Sequence, residues 1–244
     1  MRAAIASHLD HDPHFEWRGQ NVTRIENLSD IVFALALGML LLTGAPPQTY
    51  SELLSFLGSF VPVAAGFAVL FSLWNAHFTF FRRYGLADRT VVFLNSILLL
   101  LVLFIAYPLR FIFDSLYGYV LGSITGDWTK MMAAEMSADN TAVAIAIFAA
   151  AFFVIETFVS MLYAHALAKS HDLNLDAIEQ VLTRRSVWRF RADAAISLTS
   201  GICALTTPMG PFAGLLMAFG APAAIGARLA FPLPGEPNAA QPKH

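Results

Sequence analysis

Six stretches of the chain stay apolar for close to the roughly 20 residues that a helix needs to cross a hydrocarbon core of about 30 Å. They cover residues 23–43, 56–81, 90–113, 141–168, 188–207 and 210–228. Polar or turn-forming residues punctuate them: Pro46 and Pro47 follow the first, and Pro208, Gly210 and Pro211 make a tight turn between the fifth and sixth. The pattern predicts an all-α polytopic membrane protein with six transmembrane helices. The chain then divides into a tail over 1–22, a six-helix domain over 23–228 and a second tail over 229–244. Charge interrupts the pattern in the first stretch (Arg24, Glu26, Asp30) and at the start of the fifth (Arg189, Arg191, Asp193), and the sixth is short.

Composition agrees with a bilayer as solvent, since 57% of the residues are hydrophobic and only 13% are charged, about half the usual charge of a soluble domain. A net charge of −2, with no clustered basic face, argues against a nucleic-acid partner. The single Cys203 excludes an internal disulfide and a cysteine-based zinc site. The first 20 residues contain no apolar run long enough for a signal peptide, so the amino terminus is expected in the cytoplasm. Lys and Arg set the orientation, because positively charged loops stay on the cytoplasmic side. All of them fall on one side of a six-span, both-termini-inside topology except Arg110 and Lys130. The 114–140 stretch, with Asp127, Glu135 and Asp139, then reads as a weakly acidic outer loop.

Arg24, Glu26, Ser29 and Asp30 lie in or beside the first span, where an unpaired charge costs a few kcal/mol. Counting inward at about 1.5 Å per residue puts Asp30 about 10 Å deep, His77 about 7 Å and Asn95 about 9 Å, so three helices offer polar groups at one level. Trp74, one turn from His77, can donate its indole N–H to the same cluster. Interhelical adhesion and a gating role both fit these residues. One His, one Asp and one Asn supply too few anionic ligands for a metal site. On a helical wheel Ile31, Leu35, Met39 and Leu42 fall within about 40° of one line with Gly38 beside it, and Asp30 points about 140° from Leu35. In isolation such a stripe reads most simply as packing or lipid contact.

Glu156, beside Thr157 in the fourth span, reads either as a hydrogen-bonded carboxyl between helices or as part of a proton-coupled transporter together with Asp30. His8, His11 and His14 with Asp10 and Asp12 read as a polar tail rather than a metal site. Arg184, Arg185, Arg189 and Arg191 anchor the inner interface, within reach of lipid headgroups. No nucleotide, haem or hydrolase motif is present, so neither an enzyme nor a cofactor is expected.

The run RIENLSDIVFALALGMLLL, Arg24 to Leu42, resembles the signature of the transmembrane protein 175 family of potassium channels, Arg-x-x-x-Phe-Ser-Asp, read here as Arg24-x-x-x-Leu28-Ser29-Asp30. Trp74-Asn75-Ala76-His77, and Asp88-Arg89 followed by Asn95 and an apolar run to Tyr107-Pro108, agree in place and order. The resemblance covers about the first 110 residues. It implies a homotetramer in a bacterial plasma membrane, with four copies of the first helix around a path that passes K+ and other monovalent cations. The pore constriction would be an aliphatic ring at Leu35, with further layers near Ile31, Met39 and Leu42. Arg24, Ser29, Asp30, Trp74, His77 and Asn95 would form the polar network behind it. Gly38 stands where relatives often carry a hydroxyl residue favouring potassium over sodium, which implies weak selectivity. A membrane scaffold without transport activity is the third reading, beside channel and carrier.

Overall fold

The computed structural model describes residues 15–42, 46–208 and 210–233. The tail cluster His8, His11, His14, Asp10 and Asp12, and the end of the chain from 234, lie outside them. Among the described residues the fold is all-α, with eight α-helices and one 3₁₀ segment. They are α1 (Arg24–Leu41), α2 (Tyr50–Gly58), α3 (Phe60–Tyr84), α4 (Arg89–Thr125), α5 (Thr129–Ala133), α6 (Ala138–Ala168), α7 (Ala177–Thr206), the 3₁₀ segment Gly210–Phe219, and α8 (Gly220–Ala230). Among the described residues, four stretches are long and apolar enough to cross a membrane: α3, α4, α6 and Phe212–Ala230. The other two expected spans, α1 and α7, are helical but carry the charges noted above.

Two groups of helices make up the molecule. One is α1, α3 and α4; the other is α6, α7, the 3₁₀ segment and α8, and α4 packs against α6 to join them. Small residues bring α6 and α7 together: a Cβ on Gly201 would sit 3.2 Å from the Cβ of Ala149, and Ser197, Ser200 and Ala204 are buried along the same face.

The structure changes several of the boundaries read from hydropathy. The 56–81 stretch is interrupted at Ser59, which caps α2 and precedes α3. α1 ends at Leu41, ahead of Pro46. The expected outer loop is helical over its first dozen residues, because α4 runs on to Thr125 through Pro108. Buried Ser115, Gly118 and Gly122 make that extension possible. They leave room for α5 to fold back, with the Trp128 ring so close that a Cβ on Gly122 would fall 2.7 Å from it. Gly126, at φ 76°, supplies the left-handed residue that ends α4. α7 starts at Ala177, well before its apolar part, on a capping box between Asp176 and Glu179. The sixth stretch is half 3₁₀ and half α.

Candidate pore helix and its polar clamp

α1 begins on a capping box of its own: Thr23 Oγ1 accepts from the Glu26 N–H, and the Glu26 carboxylate accepts from the Thr23 N–H. From there its two faces part. Glu26, Ser29, Phe33, Ala36 and Leu40 recur at helical spacing and are buried against α3 and α4. On the opposite side the large apolar residues are open within the chain: Leu28 is 55% exposed, Ile31 65%, Leu35 54% and Leu42 83%. Met39 and Gly38 are half-buried at its margins, and a Cβ placed on Gly38 would meet nothing within 4 Å.

Behind α1 a directed chain of hydrogen bonds joins three helices. Asn95 Oδ1 only accepts, so His77 Nε2 is protonated and donates to it at 2.7 Å. Asn95 Nδ2 donates to Ser29 Oγ at 3.0 Å, and Ser29 Oγ donates to the Ile25 carbonyl at 2.8 Å. All three side chains are buried, and the Phe33 and Phe81 rings flank the imidazole at 5.5 and 4.7 Å. Trp74 Nε1 donates to Asp30 Oδ1 at 2.9 Å, a second and more exposed link between α1 and α3. Ser29, Asp30, Trp74, His77 and Asn95 thus bridge α1, α3 and α4 as two separate links. Arg24 joins neither: it is exposed, and has no ion-pair or hydrogen-bond partner among the described residues. The cation on the buried face of α1 is Arg82, outside both links: its Nη2 lies 2.5 Å from Glu26 Oε1 while Nη1 donates to the Gly19 carbonyl at 2.8 Å. No hydropathy pattern distinguishes Arg82 from any other loop arginine.

The far end of α1 is held by a residue that counted in the sequence only as a loop charge. Arg110 Nη1 donates to the Leu40 carbonyl and Nε to Asp114, both at 2.6 Å. At the Arg82 end, residues 15–20 form a strap. Arg18 pairs with both oxygens of Glu179 at 2.8 and 2.7 Å, the Glu16 N–H adds a third bond, and Gly19 N–H donates to the Arg82 carbonyl at 3.0 Å. Burial disfavours the Glu179 carboxylate, but these bonds outweigh it and hold the carboxyl below the usual range, while the same hydrogen bonding raises the Arg18 guanidinium. Asp88 caps α4 and accepts from His165 of α6 and from Lys169, the residue that follows α6, at 2.8 Å each; partial burial works against its charge, and these donors still hold its carboxyl far below the ordinary value. Glu156 belongs elsewhere, accepting from Ser197 of α7 at 2.9 Å, in a different helix group from Asp30.

This arrangement sits in the part of the chain that known proteins share. Residues 24–106 match the family described as endosomal/lysosomal potassium channel TMEM175. A potassium channel of Marivirga tractuosa is 32% identical over 215 residues, which is 87% of this chain and 86% of the relative. The chain belongs to the TMEM175 family of potassium channels. A potassium channel of Chamaesiphon minutus is 27% identical over 151 residues, 59% of this chain and 64% of that one. The fold also matches the crystal structure of a variant of the potassium channel MtTMEM175 in complex with a nanobody fusion protein, at a TM-score of 0.77 and 31% identity, covering 90% of this chain and 96% of the other. The family-matched segment holds both links of the α1 network, whereas Arg110 and Glu156 lie beyond it.

Proposed function

We propose that four copies of the chain form a passive K+-permeable channel in the bacterial plasma membrane, with α1 of each subunit lining a central path. Six spans and two cytoplasmic termini complete the arrangement. The observation that carries the reading is the division of α1: one face is buried by its own chain, and the aliphatic face of Leu28, Ile31, Leu35 and Leu42 is left uncovered by it. Four such faces around an axis make a narrow aliphatic tube. A constriction of this kind closes by dewetting, and a small widening readmits water and a monovalent cation. Leu35 forms the narrowest ring, with Ile31, Met39 and Leu42 as further layers. Gly38 leaves the path without a side-chain oxygen, so discrimination between K+ and Na+ is weak. Ser29, Asp30, Trp74, His77 and Asn95 hold α1 at a fixed rotation against α3 and α4. A proton-coupled carrier using Glu156 and Asp30 has less support, since each carboxylate has its own partner in a separate helix group.

Potassium flux into proteoliposomes tests the proposal, comparing the unaltered protein with Leu35→Ala. The expected result is a changed basal flux through the wider ring. Equal flux in both, or flux coupled stoichiometrically to protons, rejects the tube.

A further inference from the structure

We infer that Arg110 and Asp114 form an outer clamp on the pore helix, in which the guanidinium fixes the last turn of α1 and the Asp114 carboxylate cancels its charge beside the cation path. The inference rests on the α1-lined pore proposed above. The last turn of α1 has no basic residue of its own, and its final carbonyls have few intrahelical partners; the Leu42 N–H takes the Gly38 carbonyl at 3.0 Å. Arg110, from the middle of α4, takes the Leu40 carbonyl at 2.6 Å, placing a cation at the negative end of the α1 dipole. Its side chain is only 12% exposed, so the bond is shielded from competing water. The Leu40 side chain is held as well: a Cβ on Gly66 of α3 would sit 3.4 Å from Leu40 and 3.5 Å from Phe113 of α4. Leu40 is therefore fixed through both its carbonyl and its side chain. Two residues on, Leu42 is the outermost apolar position of the exposed face. Any motion of the Leu40 peptide swings it.

The same bond brings a positive charge next to the mouth, once per subunit. Uncompensated, four guanidinium groups would repel cations entering there. Asp114 lies one helical turn on, accepts from Arg110 Nε at 2.6 Å and stays 42% exposed at its side chain. It neutralises the guanidinium while leaving Nη1 free to hold α1.

The two roles separate by experiment on the full chain in lipid bilayers. Asp114→Asn keeps the Leu40 bond and removes the cancelling charge. Single-channel K+ conductance should fall by about twofold or more near 0.01 M salt, where screening reaches about 30 Å, and recover near 1 M, where it reaches about 3 Å. Amide exchange over residues 38–42 should stay as in the unaltered protein. Arg110→Ala should speed that exchange by about tenfold through the lost charge-assisted bond, and Arg110→Lys should restore part of the protection. A conductance that is unchanged or falls equally at both salts in Asp114→Asn, or unchanged exchange in Arg110→Ala, overturns the clamp. Leu35→Ala serves as the reference. If it alters conductance while the clamp variants do not, the clamp alone fails; if none of them does, the α1-lined pore fails and takes the clamp with it.

Discussion

At the scale of single residues, the bond sequence His77 to Asn95 to Ser29 to the Ile25 carbonyl uses each polar atom in one direction only. Asn95 is its hinge, both accepting and donating. Asn95→Leu keeps the volume, yet leaves the His77 N–H without an acceptor and Ser29 without its donor. It should cost about 2–4 kcal/mol of stability, read as a lowered thermal midpoint in detergent; a change within error would show that the network does not hold α1. Gly38→Thr belongs to the same scale. Its added atoms enter space that the chain leaves open, so the fold is expected to survive and the K+/Na+ permeability ratio from reversal potentials to rise. Depth was legible in the sequence at these positions because it follows from counting residues along each helix. Azimuth and partnership are not, since no residue count separates exposed Arg24 from Arg82, which pairs with Glu26.

Helices are where hydropathy succeeds in the middle and fails at the ends. Each apolar stretch contains a helix, but α4 extends beyond its stretch because Gly118 and Gly122 accept the Trp128 hairpin, and α7 begins early because Asp176 and Glu179 cap it. Those causes are contacts and caps, which an apolar average does not register. The strap over residues 15–20 was equally invisible, since its bonds run to Glu179 across more than 150 positions. It ties the segment preceding α1 to α7, and Phe15 adds an edge contact with Tyr84 at 5.5 Å. Glu179 has its carboxyl pKa depressed on folding, so its contribution is complete above the ordinary value of about 4.3 and is lost as pH falls through the lower folded value. Melts at pH 7 and pH 3 should therefore show a larger acid-induced drop for the unaltered protein than for Glu179→Gln. Equal drops would mean that the strap carries no pH-dependent stability.

For the whole molecule, the decisive quantity is what covers the open face of α1. Leu28, Ile31, Leu35 and Leu42 share that face with Arg24, which is about 20° from Leu35 on the wheel and exposed like it. A face that begins with an arginine lacking a partner among the described residues and continues as an aliphatic line suits neither water nor lipid along its whole length. The proposed assembly of four copies around a hydrated axis would satisfy both parts, with Arg24 at the wet mouth and Leu35 in the narrow section. That arrangement brings four equivalent side chains within ligating reach at one level, which no monomer or lipid-facing stripe does. Leu35→Cys in a Cys203→Ser background, which removes the only native thiol, should create a ring of soft thiolate ligands. Micromolar Cd2+ should then block K+ flux, and a chelator should restore it. Phe104→Cys, at a 77% exposed position on α4, provides the control and should remain insensitive. Flux that persists in Leu35→Cys under Cd2+, or equal block in both variants, would put the path somewhere other than along α1.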